Sequence, residues 1–259
     1  MEESRKRRIR QRFSRAAATY DAHAEVQPQL VTRLLRMLPQ EKPGRILELG
    51  CGTGSLTMGL AARYPEVPVV GVDFAEGMLR QARLKLAGQP QVVLVCEDGE
   101  RFLAGCSTRF GLVCANAVLH WFSDPAGAVA QVRRLLAPGG SFVGAIFGER
   151  TFAELGEGMQ AVLAGEVSLP SSRFPDRTRA EAMLASCFGA VEIQELLLTR
   201  QYDSLFAQLD HIRRTGVGGG QRQVGLLTRR RLVLLDQWFQ SHHGGYPATY
   251  QAFLFRCTA

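Results

Sequence analysis

The chain has 259 residues, 46% hydrophobic and 21% charged, with a formal net charge of +7. That balance is globular and fits one α/β domain with insertions or two small domains; disordered and fibrous classes are excluded. No apolar run reaches the roughly 18 residues that span a bilayer, and no apolar segment follows the charged start Met1–Arg8, so a cytoplasmic location and no membrane partner are expected.

Six cysteines (Cys51, Cys96, Cys106, Cys114, Cys187, Cys257) form no C-x-x-C pair and have no His at ligand spacing. They imply a reducing compartment, with neither a disulfide framework nor a metal site. The positive charge gathers between Arg5 and Arg15 and again at Arg229–Arg231, which on charge alone reads first as a solvated surface and second as a surface that meets an acidic partner.

In chain order, residues 1–12 read as a frayed basic arm or a helix start, and Phe13–Tyr20 as helical. Val26–Leu38 is a second helix, with Leu30, Leu34, Leu35 and Leu38 on one stripe. Ile46–Leu49 is a short apolar strand, followed by three alternating glycines (Gly50, Gly52, Gly54) and a helix over Leu56–Arg63. Strand 69–73 ends in Asp73. A helix follows over Ala75–Leu86, with Met78, Leu79 and Ala82 facing in. Strand 92–96 leads to a polar turn, Glu97–Glu100. Strand 110–115 runs into Asn116–Trp121, a helix spans about 125–136, and Pro138–Gly140 ends it before strand 141–147. Apolar strands alternating with amphipathic helices indicate a parallel sheet covered on both faces. Beyond it, helices are expected over Thr151–Gly165 and Thr178–Cys187, with a loop at Ser168–Pro175. Strand 191–198 is followed by helix 203–215, a Gly216–Gly220 linker, helix 226–240 and a closing strand, 249–256. The insertion before the last strand reads as a helical cap over the carboxyl edge of the sheet.

Strand, glycine turn and helix form the arrangement in which backbone approaches a ligand, because glycine has no Cβ to block it. An acid ending the next strand, Asp73, is placed to accept hydrogen bonds from a ribose. The pattern Glu48-x-Gly50-Cys51-Gly52-x-Gly54, with Asp73 and Asp98, resembles motif I of class I S-adenosylmethionine-dependent methyltransferases. The resemblance implies a Rossmann-like, doubly wound, mostly parallel seven-stranded sheet with an N-terminal helical segment and a helical cap. It would be a single domain, with a lid over 1–40, a cofactor-binding core over 45–150 and a cap over 200–245. The implied cofactor is S-adenosylmethionine, leaving as S-adenosylhomocysteine. Glu48, Gly50, Cys51, Gly52 and Gly54 would cradle it, with Asp73, Phe74 and Met78 on the ribose side. Asp98 and Gly99 would meet the adenine edge, and Asn116 would lie by the methionine part, where a turn-capping role is an equal alternative. His120 reads more readily as a satisfied structural residue than as a general base, and Trp121 as packing beneath the cap.

The chain lacks the N-P-P-[YF] run of enzymes that methylate amino groups of nucleic acid bases; Asn116-Ala-Val-Leu stands there. Outside the core, Arg12-Phe-Ser-Arg-Ala-Ala-Ala-Thr-Tyr20, with Ala24 and Gln27, is similar to the N-terminal signature of the biotin-pathway malonyl-[acyl-carrier protein] O-methyltransferases. So are Val72–Met78, Phe147–Leu155, His211–Gly216 and Ala248–Phe253. The resemblance implies methylation of the free carboxylate of malonyl-acyl carrier protein or malonyl-CoA, a step that primes biotin synthesis. A carboxylate is already ionised at neutral pH, so no general base is needed. The protein must align the reactants and exclude water. Arg213 and Arg214 are the candidate cations for the substrate carboxylate, and Tyr20, with His23 and Gln27 on a similar face, a candidate to close over the site. The acidic carrier protein would be the partner. A methyltransferase of another small carboxylic acid or metabolite is the alternative. A basic nucleic-acid-binding S-adenosylmethionine protein is a second, weakened by the lack of aromatics among the basic clusters.

Overall fold

The computed structural model describes residues 2–163, 169–215 and 227–259. Two helices, α1 (Glu2–His23) and α2 (Val26–Met37), precede the sheet. The core then alternates: β1 (Ile46–Leu49), α3 (Ser55–Arg63), β2 (Val69–Asp73), α4 (Glu76–Lys85), β3 (Val92–Cys96), α5 (Gly99–Gly105), β4 (Phe110–Asn116), α6 (Pro125–Leu135) and β5 (Leu136–Phe147). After it come α7 (Ala153–Leu163), α8 (Arg177–Ala185), β6 (Ala190–Tyr202), α9 (Leu205–Arg214), α10 (Arg229–His243) and β7 (Tyr246–Thr258).

The seven strands run in the order β3-β2-β1-β4-β5-β7-β6, with β7 antiparallel to both its neighbours and the pairs from β3 to β5 parallel. The order reverses between β1 and β4, and a crevice opens there at the carboxyl ends of the strands. Strand β1 is buried along its whole length, as a central parallel strand must be. One face of the sheet is packed by α2, α3, α7 and α10, through Leu30, Leu34, Leu60, Met159 and Phe239. The other is packed by α5, α6 and α8, through Leu103, Val129, Val132 and Leu184. Burying each such side chain stabilises the fold by roughly 1.5–3 kcal/mol before entropy is counted. Met78, Leu79 and Ala82 are buried as expected.

Several boundaries differ from the sequence reading. Helix α1 reaches back to Glu2, because Ile9 is buried and continues the apolar stripe of Phe13 and Ala17. The turn expected at Glu97–Glu100 opens α5 instead: the Asp98 carboxylate accepts from Glu100 N–H at 3.0 Å and Arg101 N–H at 3.2 Å, an N-cap. Pro138–Gly140 does not end α6, which stops at Leu135; it lies inside β5, as the irregular stretch between the Phe110↔Leu136 and Leu112↔Ser141 pairings. The Gly216–Gly220 linker, Gly216 of the cap motif, and parts of the segments expected around 164–168 and at 226 lie outside the described residues.

Helix α1 crosses the carboxyl edge of the sheet and rests directly on α4. A Cβ at Gly77 would come within 2.4 Å of the Ser14 carbonyl oxygen, so only glycine permits this approach. The helix is also tied to the glycine loop, where Thr53 Oγ1 donates to Asp21 Oδ1 at 2.6 Å and Lys85 pairs with Asp21 at 2.8 Å.

Candidate functional site

The three glycines after β1 all take left-handed backbone, with φ of +65° at Gly50, +55° at Gly52 and +81° at Gly54, a region that costs other L-residues about 1–2 kcal/mol. Their surroundings differ. A Cβ at Gly50 would meet Val118 at 2.4 Å, and one at Gly54 would meet Leu86 at 2.9 Å, whereas one at Gly52 would meet nothing within 4 Å. Gly50 and Gly54 are therefore fixed by packing, and Gly52 presents bare backbone to open space. Its N–H donates to Asp73 Oδ2 at 3.0 Å, and Ala75 N–H donates to Oδ1 at 2.8 Å. The loop and the tip of β2 are thus locked together through one carboxylate.

Glu48, Gly50, Cys51, Gly52, Asp73, Phe74, Met78, Asp98, Gly99 and Asn116 come together around one cleft at the switch point, with Tyr20 and Gln27 from the N-terminal helices. Gly54 is not on its wall; it turns toward Leu86 and Ala82 and starts α3. Glu48 is buried and accepts from Thr57 Oγ1 at 2.6 Å. Burial, partly opposed by that bond and supported by the Asp73 charge, pushes its carboxyl up to about 8. Burial also raises Asp73, to about 6, against the two backbone N–H donors. Cys51 lies buried with its thiol pushed up by desolvation, which disfavours the reactive thiolate. Asn116 Oδ1 is buried without a hydrogen-bond partner. The cleft therefore offers carboxylates and an orphaned acceptor, and suits a cationic ligand rich in N–H and O–H donors.

Residues absent from the sequence reading also line it. Lys6, from the first turns of α1, reaches Asp98 Oδ2 at 2.8 Å and also pairs with Glu100. Phe13 and Asp21 of the same helix line it too. Nothing in the basic run marks Lys6 as different from its neighbours; only the helix crossing brings it here. His23 does not line the cleft; its Nε2 lies 3.0 Å from Arg214 Nη1. Trp121 lines the cleft and meets Phe13 edge-on.

Arg213 and Arg214 do not line this cleft. They border a second cavity between α1, α7, the 169–174 segment, α9 and α10, with Arg12 and Arg15 of α1. Both pair with Asp210, Arg213 at 2.5 Å. The expectation that the cap folds over the glycine loop thus differs from the structure: α1 covers the loop, and α9 lies against α1, where the Arg214–His23 contact holds it. Apart from the arginines, Thr19, Ser171 and Asp210, the rest of the second cavity's wall is apolar, including Phe152, Leu155, Met159 and Phe206.

Residues 46–140, which hold β1 through α6, match the family model described as "Methyltransferase domain". Over 259 aligned residues, 95% of this chain and 96% of the relative, the chain is 35% identical to the malonyl-[acyl-carrier protein] O-methyltransferase of Geobacter sulfurreducens. It belongs to the malonyl-[acyl-carrier protein] O-methyltransferase family. The family member of Halalkalibacterium halodurans is 26% identical, with 98% of both chains covered. Among solved structures, one titled a putative methyltransferase from Bacillus halodurans has the same fold, with a TM-score of 0.63 and 18% identity over 88% of this chain and 97% of that one. The YcgJ protein of Bacillus subtilis also shares it, with a TM-score of 0.61 and 17% identity over 89% and 97%. The chain is a methyltransferase with S-adenosylmethionine as its cofactor, and the donor-accepting cleft fits that sulfonium nucleoside. Among the described residues there is no group that could hold a metal ion and no helix long and apolar enough to cross a membrane.

Proposed function

We propose that this enzyme methylates the free carboxylate of malonyl-[acyl-carrier protein], giving the methyl ester that primes biotin synthesis. The observation that carries this reading is the match to a relative of that name over 95% of this chain, well beyond the 46–140 core. Bound S-adenosylmethionine supplies an electrophilic methyl group. The chain's own part is to bind, orient and dry the reactants. Asp73 and Asp98 offer acceptors for ribose and adenine, and Asn116 Oδ1 one for the methionine ammonium. Tyr20 and α1 close the cleft over them. No proton needs to be removed from the acceptor, because a carboxylate is ionised at neutral pH.

The second cavity is the path for the acyl arm in this reading. Its apolar walls suit an extended thioester-linked chain. The arginines at its border (Arg12, Arg15, Arg213 and Arg214) attract the malonyl charge and an acidic carrier. Labelled cofactor offered with malonyl-carrier protein, malonyl-CoA, free diacids and RNA side by side tests the proposal. Methyl ester on malonyl thioesters is expected; label on free diacids or RNA alone would refute it.

A further inference from the structure

His120, between β4 and α6, is buried at 7% exposure, and its ring is fixed. Phe147 N–H donates to Nδ1 at 3.4 Å, which makes Nδ1 the acceptor and places the ring hydrogen on Nε2. That Nε2 is buried with no hydrogen-bond partner. A donor left this way costs about 1–3 kcal/mol, and a phenyl ring of similar size would avoid the cost. The surroundings indicate its use. The imidazole packs among Trp121 at 5.0 Å, Phe147 at 5.3 Å and Phe174 at 4.4 Å between ring centroids. Trp121 and Phe147 line the cofactor cleft, whereas Phe174 lines the second cavity. The imidazole therefore sits within the aromatic partition between the two spaces that substrate and cofactor would occupy.

We propose that His120 is a substrate-binding donor: its Nε2–H takes the thioester carbonyl oxygen of the malonyl group as the acyl arm displaces Phe174 and brings its carboxylate to the cleft. The inference rests on the function proposed above. It assigns His120 a neutral role. Desolvation, with a smaller effect from the Arg5 guanidinium on α1, pushes the imidazole down to about 3, so it stays uncharged throughout the working range and takes no proton from the substrate. The rings of Trp121, Phe147 and Phe174 and the backbone of β5 pack beside it, and Arg5 is the charged group that acts on it.

The test compares wild type, His120→Phe and His120→Gln on malonyl-carrier protein and on a small malonyl thioester, with S-adenosylhomocysteine affinity, melting temperature and pH profile read alongside. Expected is a loss of about tenfold in kcat/KM for His120→Phe on both substrates, carried mainly by KM, the size of one hydrogen bond. Its S-adenosylhomocysteine affinity should be unchanged and its melting temperature equal or higher. His120→Gln, which keeps an N–H donor, should recover most of the loss, and wild type should show no ionisation between pH 6 and 8. An active wild type matched by His120→Phe would overturn the inference alone, as would a pH 6–7 ionisation that His120→Gln abolishes. A wild type that binds S-adenosylhomocysteine but is inert on malonyl thioesters would overturn the functional reading, and this inference with it.

Discussion

Lys6 Nζ lies 2.8 Å from Asp98 Oδ2, joining the first turns of the chain to the acid between β3 and α5. The same carboxylate caps α5 through its other oxygen. If adenine uses Oδ2, its amino group must take the position the ammonium holds. Lys6 and Asp98 keep side-chain exposures of 23% and 20%, so solvent screens the pair, and it is worth at most about 1 kcal/mol. Lys6→Met is therefore expected to tighten S-adenosylhomocysteine binding by about twofold to fivefold in calorimetric titration. Weaker binding would mean that Lys6 stays and contributes.

Gly50 and Gly52 share a left-handed backbone but not an environment. Gly50→Ala adds a clash with Val118 to the backbone cost and should lower stability by about 2–4 kcal/mol. Gly52→Ala should cost only about 1–2 kcal/mol, yet its methyl projects into the open space beside Asp73. Urea unfolding and cofactor titration of the two variants should separate them: the first loses stability, the second loses binding while still folded.

Glu48 and Asp73 are both raised above the ordinary carboxylate range, to about 8 and about 6. The ligand-free protein thus holds more protons than the unfolded chain above about pH 4. The extra stability is fully present below the unfolded values and is lost as pH climbs through about 6 and then about 8. A cationic cofactor favours the ionised carboxylates, so S-adenosylmethionine should bind more tightly from pH 6 to 8.5 and release protons as it binds. Calorimetry in buffers of different ionisation enthalpy measures that release, and Glu48→Gln should reduce it.

Arg213 and Arg214 border the second cavity, not the cofactor cleft. Replacing both with Ala should leave S-adenosylhomocysteine affinity within a few-fold. If they serve the malonyl carboxylate, turnover of a small malonyl thioester falls as far as that of the carrier-bound substrate. If they serve the carrier, only the latter falls. Charge reversal at Arg229–Arg231 should also spare the small thioester, and equal loss on both substrates would remove these arginines from carrier docking.

The convergence of Glu48, Gly52 and Asp73 on one cleft is legible in the sequence where local pattern and chemistry coincide. Ile46–Gly54 and Val69–Asp73 each carry an apolar strand and its terminal motif within about ten residues. In sequence Asp98 is legible as an acid but not as a helix cap, because α5 is only seven residues long and shows no clear periodicity. Lys6 and the second cavity were not legible at all. Both depend on how α1 crosses the sheet and meets α9, and that geometry is set by contacts between residues far apart in sequence, such as Gly77 against the Ser14 backbone and Arg214 against His23. Arg213 and Arg214 illustrate the limit: their residue type suits a carboxylate, but Asp210 one turn back already shares their charge.

Helix α1 is a wall common to two chambers. Lys6, Phe13 and Tyr20 face the cofactor cleft, while Arg12, Ala16 and Thr19 face the second cavity. Any movement of this helix that admits or releases the nucleoside also reshapes the passage for the acyl arm. Turnover should then follow a compulsory order, with the nucleoside first on and last off, and S-adenosylhomocysteine should inhibit competitively against S-adenosylmethionine but not against the malonyl substrate.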